Sequence, residues 1–140
     1  MYLLDTNIVS ETRKPRPHPA VLAWIRSIHQ SELFLSSVTM GELQRGVEIT
    51  LRQDPVKGRE IAEWIDRLAS VYEVLVPDTI VFREWARLMY GRPEDKWEDV
   101  LIASTARRHR MMVVTRNVRD FEGLGVEVLN PFPSASGGQD

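Results

Sequence analysis

The feature that most constrains this chain is an alternation of short apolar runs with longer amphipathic stretches, sustained from one end to the other. Residues 2–4, 33–35, 73–76, 111–115 and 126–129 read as strands. Between them, Val21, Leu22, Trp24, Ile25 and Ile28 recur at helical spacing over residues 20–29. Leu43, Val47 and Leu51 stand four apart in a helix over 41–51, and Ile61, Trp64, Ile65 and Leu68 mark another over 56–70. Further helices are expected over 79–89 and 96–109, with single helical turns at 8–12 and 117–121. The RKPRPHP segment, Asp54-Pro55 and Gly91-Arg92-Pro93 punctuate the pattern as loops. Strands separated by whole helices pair in parallel, so the expected class is α/β, a parallel sheet with helices on both faces.

The 140 residues fit one domain. With no cysteine, a disulfide scaffold, a thiolate metal site and a cysteine nucleophile are all excluded, and a reducing cytoplasm is the expected compartment. No apolar stretch approaches the ~18 residues of a membrane span, and the opening MYLLDTN lacks the basic-then-apolar layout of a secretory signal. A formal net charge of -2 excludes a strongly basic coat for nucleic acid but leaves room for a local basic groove. The small, polar ending PSASGGQD is expected to form a disordered tail over 133–140.

In open α/β sheets ligands bind just past the carboxyl ends of the strands. Asp5 follows the first strand, Glu42 lies near the start of the helix after the second, Asp99 opens the helix before the fourth, and Asp120 lies about a turn beyond the fourth. Two carboxylates about 4 Å apart repel by roughly 4 kcal/mol at an effective dielectric of 20, so their convergence calls for a cation. An all-oxygen set selects Mg²⁺ or Mn²⁺ over zinc, and such ions serve phosphodiester hydrolysis. The plain reading stands beside this one: acids in a first helical turn favour the macrodipole, and Asp is a good N-cap. Asp78, after Pro77 and before a helix, is read as a cap only, and Glu48, Glu60, Glu63 and Asp66 as solvated helix faces. Glu94, Asp95 and Glu98 add negative charge close to Asp99.

Four segments in order, MYLLDTNIVSE, SSVTMGELQRGV, EDVLIASTA and VVTRNVRDF, resemble the PIN-domain ribonucleases, and within them the VapC and FitB type of toxin from bacterial toxin–antitoxin pairs. The resemblance covers residues 1–132. It implies a PIN-like three-layer sandwich with a four- or five-stranded parallel sheet. It also implies metal ligands at Asp5, Glu42 and Asp99, with Asp120 as the fourth acid. Asn117 stands where some members carry Asp, and is read as a neutral ligand or water-positioning amide. Thr6 and Thr115 are read as hydrogen-bonding to metal-bound water or phosphate, and Asn7 as fixing the loop that holds Asp5. The implied activity is Mg²⁺- or Mn²⁺-dependent hydrolysis of RNA by in-line attack of activated water. The resemblance further implies a homodimer, an antitoxin protein that silences activity, and contact with promoter DNA only through that antitoxin.

Arg116 and Arg119 flank the acids and are candidate RNA phosphate contacts, whereas Arg107–Arg110 are read as complementing a helix dipole. His18, His29 and His109 fall outside the acidic motifs; His29 and His109 are expected as cations at helix ends. Trp97, two residues from Asp99, is the one tryptophan set apart from core packing. Two rivals remain at this point. A haloacid-dehalogenase-like phosphatase wants a second Asp two residues after the first, where Asn7 stands. A PIN-like module that binds RNA or protein without cutting is the alternative to the enzyme.

Overall fold

The computed structural model describes residues 1–133. The expected tail over 133–140 lies, but for Pro133, outside the described residues. Five strands, β1 (Tyr2–Leu4), β2 (Leu33–Ser36), β3 (Glu73–Leu75), β4 (Met112–Val114) and β5 (Val128–Leu129), form one parallel sheet in the order β3-β2-β1-β4-β5. The first strand is therefore central, with Leu3 in register with Phe34 of β2 on one side and Val113 of β4 on the other.

Because successive strand side chains point to opposite faces, the sheet has two cores. Leu4, Leu35 and Val114 face Ile8 and Val9 of α1 (Thr6–Arg13), Val21 of α2 (Pro19–Ser27), Leu43 and Val47 of α3 (Ser37–Gln53), and Ile65 and Leu68 of α4 (Pro55–Val71). Leu3, Phe34 and Val113 face the other way, onto Val100, Ile102, Ala103 and Ala106 of α6 (Trp97–His109) and Trp85 and Leu88 of α5 (Thr79–Met89). The result is the three-layer α/β arrangement expected, with five strands.

Local chemistry sets the element ends. Asp54 closes α3 and caps α4, its Oδ1 accepting from the Lys57 amide at 3.1 Å, with Pro55 at the first helical position. Gly58 lies where α4 crosses α3: a Cβ there would stand 2.5 Å from Leu51 Cδ2 and 3.0 Å from the Leu51 Cα. Asp78 is the cap expected, accepting from the Val81 amide at 2.9 Å.

Most boundaries fall within two residues of the sequence reading, and three differences have a clear local cause. The turn expected at 8–12 is a full helix, α1, because Asp5 caps it from the end of β1 and the buried Glu11 holds Lys14 and the His18 amide beyond its other end. The helix expected from 41 starts at Ser37, capped by Ser36 Oγ. The last strand begins at Val128, two residues late, after two glycines with positive φ, Gly123 and Gly125. Among the described residues no helix is long and apolar enough to cross a membrane.

Candidate metal centre

The carboxyl edge of the sheet, around the central strand, gathers the acids. Asp5 leaves β1 as the N-cap of α1, its backbone amide still bound to the Val114 carbonyl of β4 at 2.9 Å. Its carboxylate is buried and held by the chain, with one acceptor site of Oδ1 left over: Oδ1 accepts from the Thr6 amide at 2.8 Å, and Oδ2 from Thr115 Oγ1 at 2.8 Å and Asn7 Nδ2 at 3.2 Å. Burial raises its pKa nonetheless, the three hydrogen bonds pulling the other way and Asp120 adding negative charge.

Thr115, at the end of β4 and wholly buried, is the hub. Besides donating to Asp5, it accepts from Asn7 Nδ2 at 3.2 Å and from the Asn117 amide at 3.0 Å. Asn7 in turn accepts the Arg116 amide on its Oδ1 at 3.0 Å, tying the loop after β4 to the start of α1. Thr6 plays the matching part for Glu42: its hydroxyl donates to Oε1 at 2.7 Å. That proton being spent, the 3.1 Å contact between the Thr6 and Thr39 hydroxyls has Thr39 as donor.

Since α3 begins at Ser37, Glu42 sits in its second turn, beyond the reach of a capping role. Burial first, then a hydrogen bond shared with Glu98 and the charges of Glu98 and Asp5, push its pKa to about 7. Asp99, in the first turn of α6, is pushed to about 6, by burial first and then by Asp5 and Asp120, with Lys96 opposing. Asp120 lies in the 3-10 turn Val118–Phe121 and is held by Lys96 Nζ at 2.9 Å. Asp5, Glu42, Asp99 and Asp120 are thus close enough to act on one another's charge.

Two more residues belong to this cluster: Glu98, expected only as negative charge near Asp99, and Lys96, to which the sequence reading assigns no part. Lys96 lies three residues before Asp99, one helical turn away, and that spacing was the available signal. Asn117 makes no side-chain hydrogen bond among the described residues. The Arg116 guanidinium lies 4.4 Å over the Phe132 ring, and Arg119 is exposed. The histidines stay away. His18 and His29 cap the N-termini of α2 and of the turn Gln30–Glu32, Nδ1 accepting from the Ala20 and Ser31 amides at 3.0 and 3.2 Å. His29 therefore stands at a helix start and not at the helix end expected.

The donor set is all carboxylate, hydroxyl and amide oxygen. Among the described residues no three Asp, Glu or His side chains form a ready-made cage. Mg²⁺ does not need one, since it keeps several waters and takes only one or two carboxylates directly. Carboxyl groups whose pKa values are raised by burial and by each other would be restored to the charged form by a divalent ion, so the residues fit such an ion.

Residues 2–126 match the PIN domain family. The chain is 36% identical over 143 residues to the VapC ribonuclease Y4jK of Sinorhizobium fredii, covering 96% of this chain and 100% of that one. It is 30% identical over 141 residues to the Toxin FitB of Neisseria gonorrhoeae, covering 94% and 99%. Its fold superposes with a TM-score of 0.76 on a chain of the structure of FitAB bound to the IR36 DNA fragment, at 31% identity, covering 96% and 99%. With four motifs in order, a five-stranded parallel sheet and acids at its carboxyl edge, the chain belongs to the PIN domain family.

Proposed function

We propose that this protein is a metal-dependent endoribonuclease toxin of a toxin–antitoxin pair, with Asp5, Glu42, Asp99 and Asp120 holding Mg²⁺ or Mn²⁺. One observation carries the reading: three of these carboxyl groups meet at one edge of the sheet, where burial and neighbouring negative charge raise their pKa, an arrangement that a bound divalent ion relieves. The relatives named a VapC ribonuclease and a FitB toxin support the same activity and context.

When bound, the ion offsets charge on the scissile phosphate and lowers the pKa of water. Thr115 and Asn7 fix the Asp5 carboxylate, and Thr6 fixes Glu42, so that the acids are oriented before substrate arrives. Glu42, fixed by Thr6 and charged once an ion is bound, would take the proton of the attacking water as the phosphorus–oxygen bond opposite it breaks and the departing oxygen gains a proton from solvent. Lys96, already beside Asp120, supplies a fixed positive charge at the rim, and Arg116 and Arg119 extend it toward flanking phosphates. The partners of this reading are an RNA substrate, a second copy of the chain in a homodimer, and an antitoxin protein through which promoter DNA is reached. That FitAB has been seen bound to a DNA fragment supports the last partnership.

The test is RNA cleavage by purified protein free of partner, with Mg²⁺ or Mn²⁺, against EDTA and Asp5→Asn. Cleavage that disappears in both controls is expected. Cleavage that survives both belongs to a contaminant. No cleavage of any RNA, together with no Mn²⁺ binding, leaves a PIN-like module that binds RNA or protein without cutting.

A further inference from the structure

Beside the acids a cleft of ≈ 410 Å³ opens between α3 and the start of α6, within the ~300–1,000 Å³ range of small-molecule sites. One wall is Trp97, 45% exposed, whose carbonyl accepts from Trp85 Nε1 at 3.0 Å and so is fixed against α5. The opposite wall is α3 with its side chains missing: a Cβ at Gly41 or Gly46 would meet nothing within 4 Å. Glu42 and Glu98 close the end nearest the metal ligands, and Arg45 borders the other. A shallower groove continues past the exposed Ile49 to Arg52, two turns further along α3. Arg45 and Arg52, like most of the arginines, make no ion pair among the described residues, so both guanidinium groups are available to a ligand.

We propose that this cleft is a nucleotide subsite of the reaction centre, taking the base next to the cut bond of single-stranded RNA. Its base stacks on Trp97 over the bare backbone of Gly41 and Gly46, and Arg45 and Arg52 meet the phosphates that follow. An aromatic face stacks any base, and unpaired arginines at helical intervals track a backbone, which together make a single-strand site. Its contact with the acids Glu42 and Glu98 joins it to the chemistry. The proposal rests on the RNA-cleaving reading above.

Two measurements test it. The first is steady-state cleavage of single-stranded RNA randomised around the cut, comparing the protein with Trp97→Ala, Trp97→Phe and Gly46→Leu. Trp97→Ala is expected to raise KM roughly 10-fold, the loss of one stack, and to flatten the base preference at one position. Trp97→Phe restores most of both, and Gly46→Leu, which fills the cleft from a position with open space around it, reproduces the defect without lowering Tm. The second is binding of a fluorescent RNA hexamer in EDTA, where the two blocking variants are expected to weaken binding similarly. If the protein cleaves and binds RNA while both blocking variants leave KM, base preference and affinity unchanged, the subsite is refuted. If instead those variants change only the oligomeric state by light scattering, the cleft belongs to a protein interface. Absence of cleavage by the unaltered protein fails the parent reading alone, and hexamer binding then decides for or against the subsite.

Discussion

At the residue scale the site is a set of carboxyl groups poised to release protons. Glu42 and Asp99 bind a proton more tightly folded than unfolded, at about 7 and about 6 against ordinary values of 4.5 and 3.8. Their contribution to stability is therefore full below the unfolded values and is lost as pH rises through 6 to 7. In EDTA, Tm should fall over that window, and Glu42→Gln should flatten the decline; parallel curves for the two proteins would contradict it. Both groups are only part-buried, so screening keeps the effect modest. Thr115→Val tests the hub. It removes one hydroxyl that serves Asp5, Asn7 and the Asn117 amide, so urea unfolding should show a loss of about 1–3 kcal/mol and cleavage should drop with Asp5 unheld. Asp5, Glu42 and Asp99 stood out as candidates because each lies at a strand end or near a helix start, and the family resemblance of their motifs singled them out from the other acids. Glu98 was not legible as Glu42's partner, since the two lie on helices separated by more than forty residues and only the packing of α6 beside α3 brings them together.

At the scale of elements, helix packing and capping account for what the sequence pattern left open. The apolar periodicity of 41–51 and 56–70 located α3 and α4, but periodicity begins only where burial begins, and the first turn of α3 belongs to its cap, Ser36. The same limit hid α1, which is held by polar contacts at both ends. Gly46 of α3 and Gly58 of α4 behave oppositely, for geometric reasons. Gly58→Ala should destabilise by about 1–3 kcal/mol because its Cβ meets Leu51 side chain and backbone. Gly46→Ala should stabilise by ~0.5–1 kcal/mol, since open space surrounds it and alanine is the better helix former. Urea midpoints of the two variants check the pair, and equal shifts would refute the packing argument.

At the scale of the whole molecule, a net charge of -2 conceals a local concentration of acids at one sheet edge. A divalent ion that binds only the folded chain should raise stability by about 2.7 kcal/mol at a hundred times its dissociation constant. Because protons compete for the same carboxylates, the rise in Tm on adding Mn²⁺ should be larger near pH 8 than near pH 5.5, and a pH-independent rise would place the ion elsewhere. The fold class was readable end to end because alternation is a global pattern. The strand order was not, since nothing in a single sequence says which strands become neighbours.

That order has a consequence for how the protein comes into being. β1 is made first yet is completed late, since one of its two neighbours is β4 and the Asp5 carboxylate is held by Thr115, 110 residues later. A chain still emerging from the ribosome has its first acid but neither Thr115 nor Asp120 to set it. If the chain cuts RNA as proposed, the machine that makes it is the nearest RNA, and the topology withholds the finished site until Thr115 and Asp120 have both been made.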